Sequence, residues 1–107
     1  MSKRLPFLCI VACLISAASY GASQTHVIDQ MKLQFSVSEL KIKKGDTVTF
    51  LNSDRPAHNI LVTVGEDVLS SGLQQPGQSF KVPFGRSGTF PVACGIHPKM
   101  SMKIVVE

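Results

Sequence analysis

The chain has 107 residues, with 11 Lys and Arg against 7 Asp and Glu, and a formal net charge of +4 at pH 7. Because this positive charge is mild and no basic run is interleaved with aromatic residues, the composition argues against nucleic-acid binding. The length corresponds to one small domain with a single hydrophobic core.

Residues 1–23 have the composition of a secretory signal peptide. Two basic residues and an apolar run over 5–18 are followed by small residues. The apolar run is too short for a helix that spans a bilayer. We therefore predict cleavage near 21–23, export to the periplasm without stable membrane insertion, and a mature domain over 24–107.

The cysteines restrict how this exported domain can be stabilised. Beyond the signal peptide the only cysteine is Cys94, so the mature domain has no partner for an intramolecular disulfide. Small exported domains often rely on disulfides or a bound metal, which makes a metal the natural expectation. Lipidation at Cys13 is a weaker alternative, because apolar residues continue beyond it whereas a lipidated mature end normally turns polar.

Short runs of alternating apolar and polar residues follow the signal peptide, as is typical of strands with one buried face. The runs contain Leu40 and Ile42, Val48 and Phe50, Ile60 to Val64, Phe80 and Val82, Phe90 to Cys94, and Met102 to Val106. Glycine-containing turns separate several runs, and one turn of helix is the alternative for 68–73. The sequence predicts an all-β antiparallel sandwich or barrel.

The parity of one strand gives the direction of the cysteine. Cys94 continues the parity of Phe90 and Val92, so its side chain should point inward from the end of that strand. Pro91 has the opposite parity and no N–H group, which predicts either an edge position or a local break in pairing. We expect the thiol to lie in a dry environment at one end of the fold.

The segment from Cys94 to Met100 combines a thiolate, an imidazole at His97 and a thioether at three-residue intervals. Two imidazoles, one thiolate and a weak axial thioether are the ligands of a type 1 copper ion. The second imidazole would come from His58, in the loop before another strand. Zinc is the rival metal for Cys and His ligands, but a methionine ligand argues against it.

These residues make the sequence resemble the cupredoxin family of type 1 blue copper proteins. The resemblance rests on the segments 40–50, Pro56 to Ile60 and Cys94 to Met100, and within the family it is greatest to amicyanin and its plastocyanin-like relatives. It implies a Greek-key β-sandwich of about seven or eight strands. It also implies one copper ion per chain and a carrier of single electrons, not an enzyme.

The axial ligand is either Met100 or Met102. A lysine commonly stands three residues after the axial methionine in the family, and Lys103 stands three residues after Met100. Met102 also shares the parity of Ile104 and so fits as a core residue of the last strand. Both arguments favour Met100, with Met102 as the alternative.

Two departures from the family pattern concern residues next to the ligands. Many members have Thr or Ser after the cysteine, bonded to the asparagine after the first histidine. Here that position is Gly95, so Asn59 must find a backbone partner or water. Ile96 stands where proline is common, and we predict that its N–H donates to the Cys94 sulfur and raises the reduction potential.

The resemblance also implies that His97 lies at the surface and passes electrons to transient partners, either a cytochrome or a dehydrogenase. The predicted rim of this port is apolar, with Lys99 beside it, and it consists of Pro56, Ala57, Ile96 and Pro98. The lysine favours an acidic partner. We expect a monomer. The alternative function is periplasmic copper buffering, delivery or resistance with the same ligands.

Three polar residues receive no role in metal binding from the sequence. His26 stands near the predicted mature N-terminus without partner spacing, and we expect it to be structural or exposed to solvent. Asp54 and Arg55 are interpreted as charges of a surface loop.

Overall fold

The computed structural model describes residues 22–107, so the predicted signal peptide lies outside the described residues except for its last two positions. Nine strands and no helix are found in this part of the chain. The strands are β1 (Thr25–Met31), β2 (Gln34–Phe35), β3 (Glu39–Ile42), β4 (Thr47–Asn52), β5 (Ile60–Val64), β6 (Asp67–Ser70), β7 (Ser79–Pro83), β8 (Gly88–Cys94) and β9 (Ser101–Val106). Over the same residues, nothing helical is long and apolar enough to cross a membrane.

The strands form two sheets, with the orders β2-β1-β4-β7 and β3-β9-β8-β5-β6. The all-β prediction is confirmed. The expectation of purely antiparallel pairing is wrong, because β1 pairs in parallel with β4 and β3 pairs in parallel with β9. An alternating pattern indicates which face of a strand is buried and says nothing about the direction of its neighbour.

Three strands differ from the sequence prediction. The stretch that allowed a helical turn begins with β6, which forms an antiparallel hairpin with β5 around Gly65, at a φ of 63°. All four residues of β6 are exposed, so no alternation marks the strand. Strands β1 and β2 were not predicted at all. In β1 burial does not follow the polarity of the residues, because polar Gln30 is buried whereas apolar Val27 is 63% exposed.

Strand β8 lies inside its sheet, between β9 and β5. The edge position considered for Pro91 is therefore wrong, and the structure instead has the local break in pairing. Its pairing with β5 runs from Cys94, opposite Ile60, back to Val92, opposite Val62, and so stops one residue short of Pro91. On its other side β8 pairs with β9 from Gly88 to Ala93, with Pro91 opposite Lys103. The missing N–H of Pro91 therefore faces no β5 partner.

The hydrophobic core lies between the two sheets and consists mainly of the alternating residues that the sequence indicates. Its fully or almost fully buried apolar members include Ile28, Val48, Phe50, Ile60, Val62, Val92 and Ile104. At one end of the sandwich β4 and β8 finish and β5 and β9 begin. We call this end the ligand pole, because all the predicted metal ligands belong to it.

Candidate metal centre

Three donor atoms converge at the ligand pole. His58 Nδ1 lies 3.1 Å from His97 Nδ1, and Cys94 Sγ lies 3.6 Å and 3.8 Å from these two nitrogens. A point equidistant from the three atoms is about 2 Å from each, which is the length of a metal–imidazole bond. In residues 22–107 this is the one group of three or more His, Cys, Asp or Glu side chains close enough to share an ion.

The backbone explains why the donors meet. Cys94 is the last residue of β8, and its pairing with Ile60 brings it beside the start of β5, which His58 precedes by two residues. His97 lies in the short connection to β9, and its carbonyl accepts a bond of 2.9 Å from the N–H of Met100. His58 is fully buried and Cys94 is 2% exposed, so the inward direction predicted for the thiol is found.

The two candidate axial residues are both buried, Met100 at 1% and Met102 at 6% exposure. Their pairing differs. Met102 lies opposite Val92 in the β8–β9 ladder, two residues below the end of β8. Met100 lies opposite Cys94, whose N–H donates to the Met100 carbonyl at 3.2 Å. This bond brings the backbone of Met100 beside Cys94, whereas Met102 is paired two residues further from the donor cluster.

Asp54, which the sequence analysis treated as a loop charge, contacts the buried histidine. Its Oδ2 lies 3.1 Å from His58 Nε2. An ionised carboxylate only accepts hydrogen bonds, so Nε2 is the nitrogen that donates to it, and in the neutral ring Nδ1 then presents a lone pair to the other donors. Lone pairs and a thiol at these distances require either a proton or a cation between them, and the residues present therefore fit a metal.

Asp54 is itself fixed by the turn between β1 and β2. The N–H of Leu33 donates to Asp54 Oδ2 at 2.8 Å, and the turn residues Lys32 and Leu33 both have positive φ, 56° and 59°. Such conformations are costly for residues other than glycine and persist where their surroundings hold them. The N–H of Leu33 and the bond from His58 keep the pKa of Asp54 below its usual value, although burial opposes them.

A buried amide network supports the loop that carries His58. The backbones of His58 and Gln74 exchange two hydrogen bonds, of 2.9 Å and 2.7 Å. Asn52 donates to the carbonyls of Gln74 and Pro56 and accepts from the N–H of Asp54. These bonds fix the backbone on both sides of the histidine. No pattern in the sequence predicts these bonds, because amide side chains are common in loops.

The hydrogen bond to the thiol sulfur comes from an unexpected donor. The backbone N–H of Asn59 lies 3.5 Å from Cys94 Sγ. The N–H of Ile96, the predicted donor, makes no such bond in the described structure. The side chain of Asn59, for which the sequence predicted a backbone partner or water, instead accepts the hydroxyl of Ser70 at 2.8 Å.

The surface residues of the ligand pole lie where the sequence placed them. His97 and Ala57 are partly exposed, and Ile96 is 45% exposed. Pro56, Pro98 and Lys99 are exposed as well. An apolar surface with Lys99 beside it thus adjoins His97, the only donor histidine that reaches solvent among the described residues.

His26 belongs to the opposite end of the sandwich. Its Nε2 lies 2.9 Å from Asp46 Oδ2, and the ring is partly exposed. It has no part in the donor cluster, which agrees with the structural role expected for it.

Comparisons with known proteins agree with this geometry. A family model described as copper binding proteins, plastocyanin/azurin family, matches residues 22–107. Amicyanin from Paracoccus denitrificans is 34% identical over 94 residues, which cover 85% of this chain and 72% of the relative. Plastocyanin from Scenedesmus fuscus is 34% identical over 86 residues, covering 70% of this chain and 86% of the relative.

Solved structures give the same relationship. The Cu(I) form of an amicyanin variant superposes with a TM-score of 0.74 at 33% identity, over 84% of this chain and 89% of that one. A reduced Cu(I) form of another variant at pH 4 superposes with a TM-score of 0.73 at the same identity and coverage.

Proposed function

The chain belongs to the plastocyanin/azurin family of copper-binding proteins, and from this premise we propose that it is an exported carrier of single electrons between redox partners. Its cofactor is copper. The observation that carries the proposal is the convergence of His58 Nδ1, Cys94 Sγ and His97 Nδ1 at the ligand pole. When bound there, copper supplies a one-electron Cu(I)/Cu(II) couple.

The proposed ligands are His58, Cys94 and His97, with Met100 as the weak axial ligand. Support for Met100 comes from its place opposite the cysteine and from its backbone bonds to Cys94 and His97. On this assignment Met102 is a core residue. We expect Met100→Leu to shift the reduction potential and Met102→Leu to leave it nearly unchanged, as measured by voltammetry of the copper-loaded protein.

The surrounding residues hold the donors in one arrangement. Asp54 orients the ring of His58, and the amide network of Asn52 and Gln74 fixes its backbone. The burial of His58 and Cys94 excludes water from these two donors. Because ligands fixed in this way need little rearrangement when the charge of the site changes by one electron, they favour rapid electron transfer.

The proposed exit for electrons is His97, since its ring belongs to the donor cluster and also reaches solvent. We propose that a cytochrome or a dehydrogenase docks transiently on the apolar rim around it. The rim consists of Pro56, Ala57, Ile96 and Pro98. Lys99 gives it a positive edge, which favours an acidic partner and speeds encounter at low salt.

The proposal is tested by adding Cu(II) to the metal-free domain of residues 24–107. We expect an intense blue absorption band and a reversible one-electron couple, and we expect Cys94→Ala to lose the band completely because the thiolate is its source. A colourless tetragonal Cu(II) spectrum would overturn the proposed site. A blue protein without a reversible couple, which releases its copper readily to a chelator, would instead indicate copper buffering or delivery.

A further inference from the structure

One hydrogen bond at the ligand pole reaches the thiol sulfur from the backbone of Asn59. The same residue accepts the N–H of Gly95 at its carbonyl, at 2.8 Å. Asn59 therefore connects β5 to the residue that follows the cysteine. Any rotation of its peptide unit would change the distance between its N–H and Cys94 Sγ.

The side chain of Asn59 lies directly over Gly95. A Cβ atom added at Gly95 would come within 3.2 Å of Asn59 Nδ2 and 3.3 Å of Leu61 Cδ1, closer than ordinary contact. Because Gly95 has no side chain, it leaves room for the Asn59 amide and gives it no hydrogen-bond partner. The partly exposed amide takes its partner from elsewhere in the fold.

That partner is Ser70, at the end of the edge strand β6. Its hydroxyl donates to Asn59 Oδ1 at 2.8 Å and accepts the N–H of Gly72 at 3.0 Å. The hydroxyl oxygen of Ser70 thus accepts from Gly72, and its single proton is donated to Asn59. The next residue, Ser71, accepts the N–H of Ile60 at 2.9 Å and so holds the same end of β6 against β5.

We propose that Ser70 is a positioning residue of the copper site: its hydroxyl holds Asn59 in the orientation in which the Asn59 N–H donates to the cysteine sulfur. This inference rests on the proposed function. A donated hydrogen bond stabilises negative charge on sulfur, and the reduced site carries one positive charge fewer than the oxidised site. The bond therefore stabilises Cu(I) more than Cu(II) and raises the reduction potential.

The test compares Ser70→Ala with Ser70→Thr, which keeps the hydroxyl, and with Ser79→Ala, which removes an exposed serine from β7. We expect Ser70→Ala to lower the reduction potential, with a decrease of roughly two- to tenfold in the ratio of Cu(I) to Cu(II) affinity, the factor for one hydrogen bond lost in part. The absorption band should shift as well. Ser70→Thr and Ser79→Ala should match the parent protein.

A second measurement uses no copper. In the metal-free chain, the backbone N–H of Asn59 should exchange its hydrogen with solvent several-fold faster in Ser70→Ala than in the parent or in Ser79→Ala. A parent protein that forms no blue site would refute the proposed function, and the exchange rates would still decide the role of Ser70. A folded Ser70→Ala protein with the parent's potential and the parent's Asn59 exchange rate would overturn the assignment of Ser70.

Discussion

Two histidine–aspartate pairs flank β4, one at each end of the sandwich. At the ligand pole His58 Nε2 lies 3.1 Å from Asp54, and at the opposite end His26 Nε2 lies 2.9 Å from Asp46. Each carboxylate also accepts backbone N–H groups, from Leu33 in the first case. In the second case the donors are Gln24 and Lys43. As isolated contacts the two pairs are nearly identical.

The difference lies at the other ring nitrogen. His58 Nδ1 faces Cys94 Sγ and His97 Nδ1, whereas His26 has no cysteine or second histidine beside it in the part of the chain described. A carboxylate on a histidine therefore orients the ring in both places, and it supports a metal site only where soft donors converge on the opposite nitrogen. At the other end the same contact ties β1 to the turn before β4.

The largest expected effect comes from exchanging His58 for alanine, with the same exchange at His26 as the matched control. We expect His58→Ala to lose the blue band completely, because a thiolate and one imidazole cannot reproduce the three-donor set. His26→Ala should keep the band and the reduction potential of the parent protein. Titration with Cu(II), followed by visible absorption and electron paramagnetic resonance, measures both variants.

The two histidine variants also test whether the two ends of the sandwich act independently. If His26→Ala abolished the blue band in a protein with the parent's circular dichroism spectrum, the two ends would not be independent. A band that persisted unchanged in His58→Ala would remove that histidine from the site.

A smaller effect is expected from Asp54→Asn, which keeps the shape of the side chain and removes its charge. Metal-bound histidines depend on such partners for orientation and basicity, and their loss typically costs about 10–100-fold in metal affinity. Competition with a chelator measures this loss. Asp46→Asn is the matched control and should bind copper as the parent does. Equal affinities for the two variants would show that Asp54 has no special role at the ligand pole.

Cys94 and His97 could be proposed as ligands from the sequence because their spacing and parity are local, and the structure brings both of them together with His58. Cys94 and His97 stand on one short connection, and the alternation of β8 gives the direction of the thiol. Asp54 and Ser70 are different, because their roles depend on a turn and an edge strand that come near only after folding. Strand β1 was missed for a related reason, since buried Gln30 occupies a position where the pattern requires an apolar residue.

The smallest effect concerns the pH dependence of stability at the end opposite the copper site. Hydrogen bonds from the N–H of Gln24, from His26 and from the N–H of Lys43 lower the pKa of Asp46 from 3.8 to about 2. Because the pKa is lower in the folded chain, ionised Asp46 stabilises the fold above pH 3.8, and this contribution is lost as the pH falls through about 2.

Thermal unfolding of the metal-free chain tests this, since bound copper would add its own pH dependence. At neutral pH we expect Asp46→Asn to lower the midpoint by several degrees, and we expect the gap to the parent to narrow as the pH falls from 3.8 towards 2. Asp67→Asn, at an exposed position on β6, should follow the parent throughout. A gap that stays constant over this range would show that the ionisation of Asp46 does not cause the difference in stability between the two proteins.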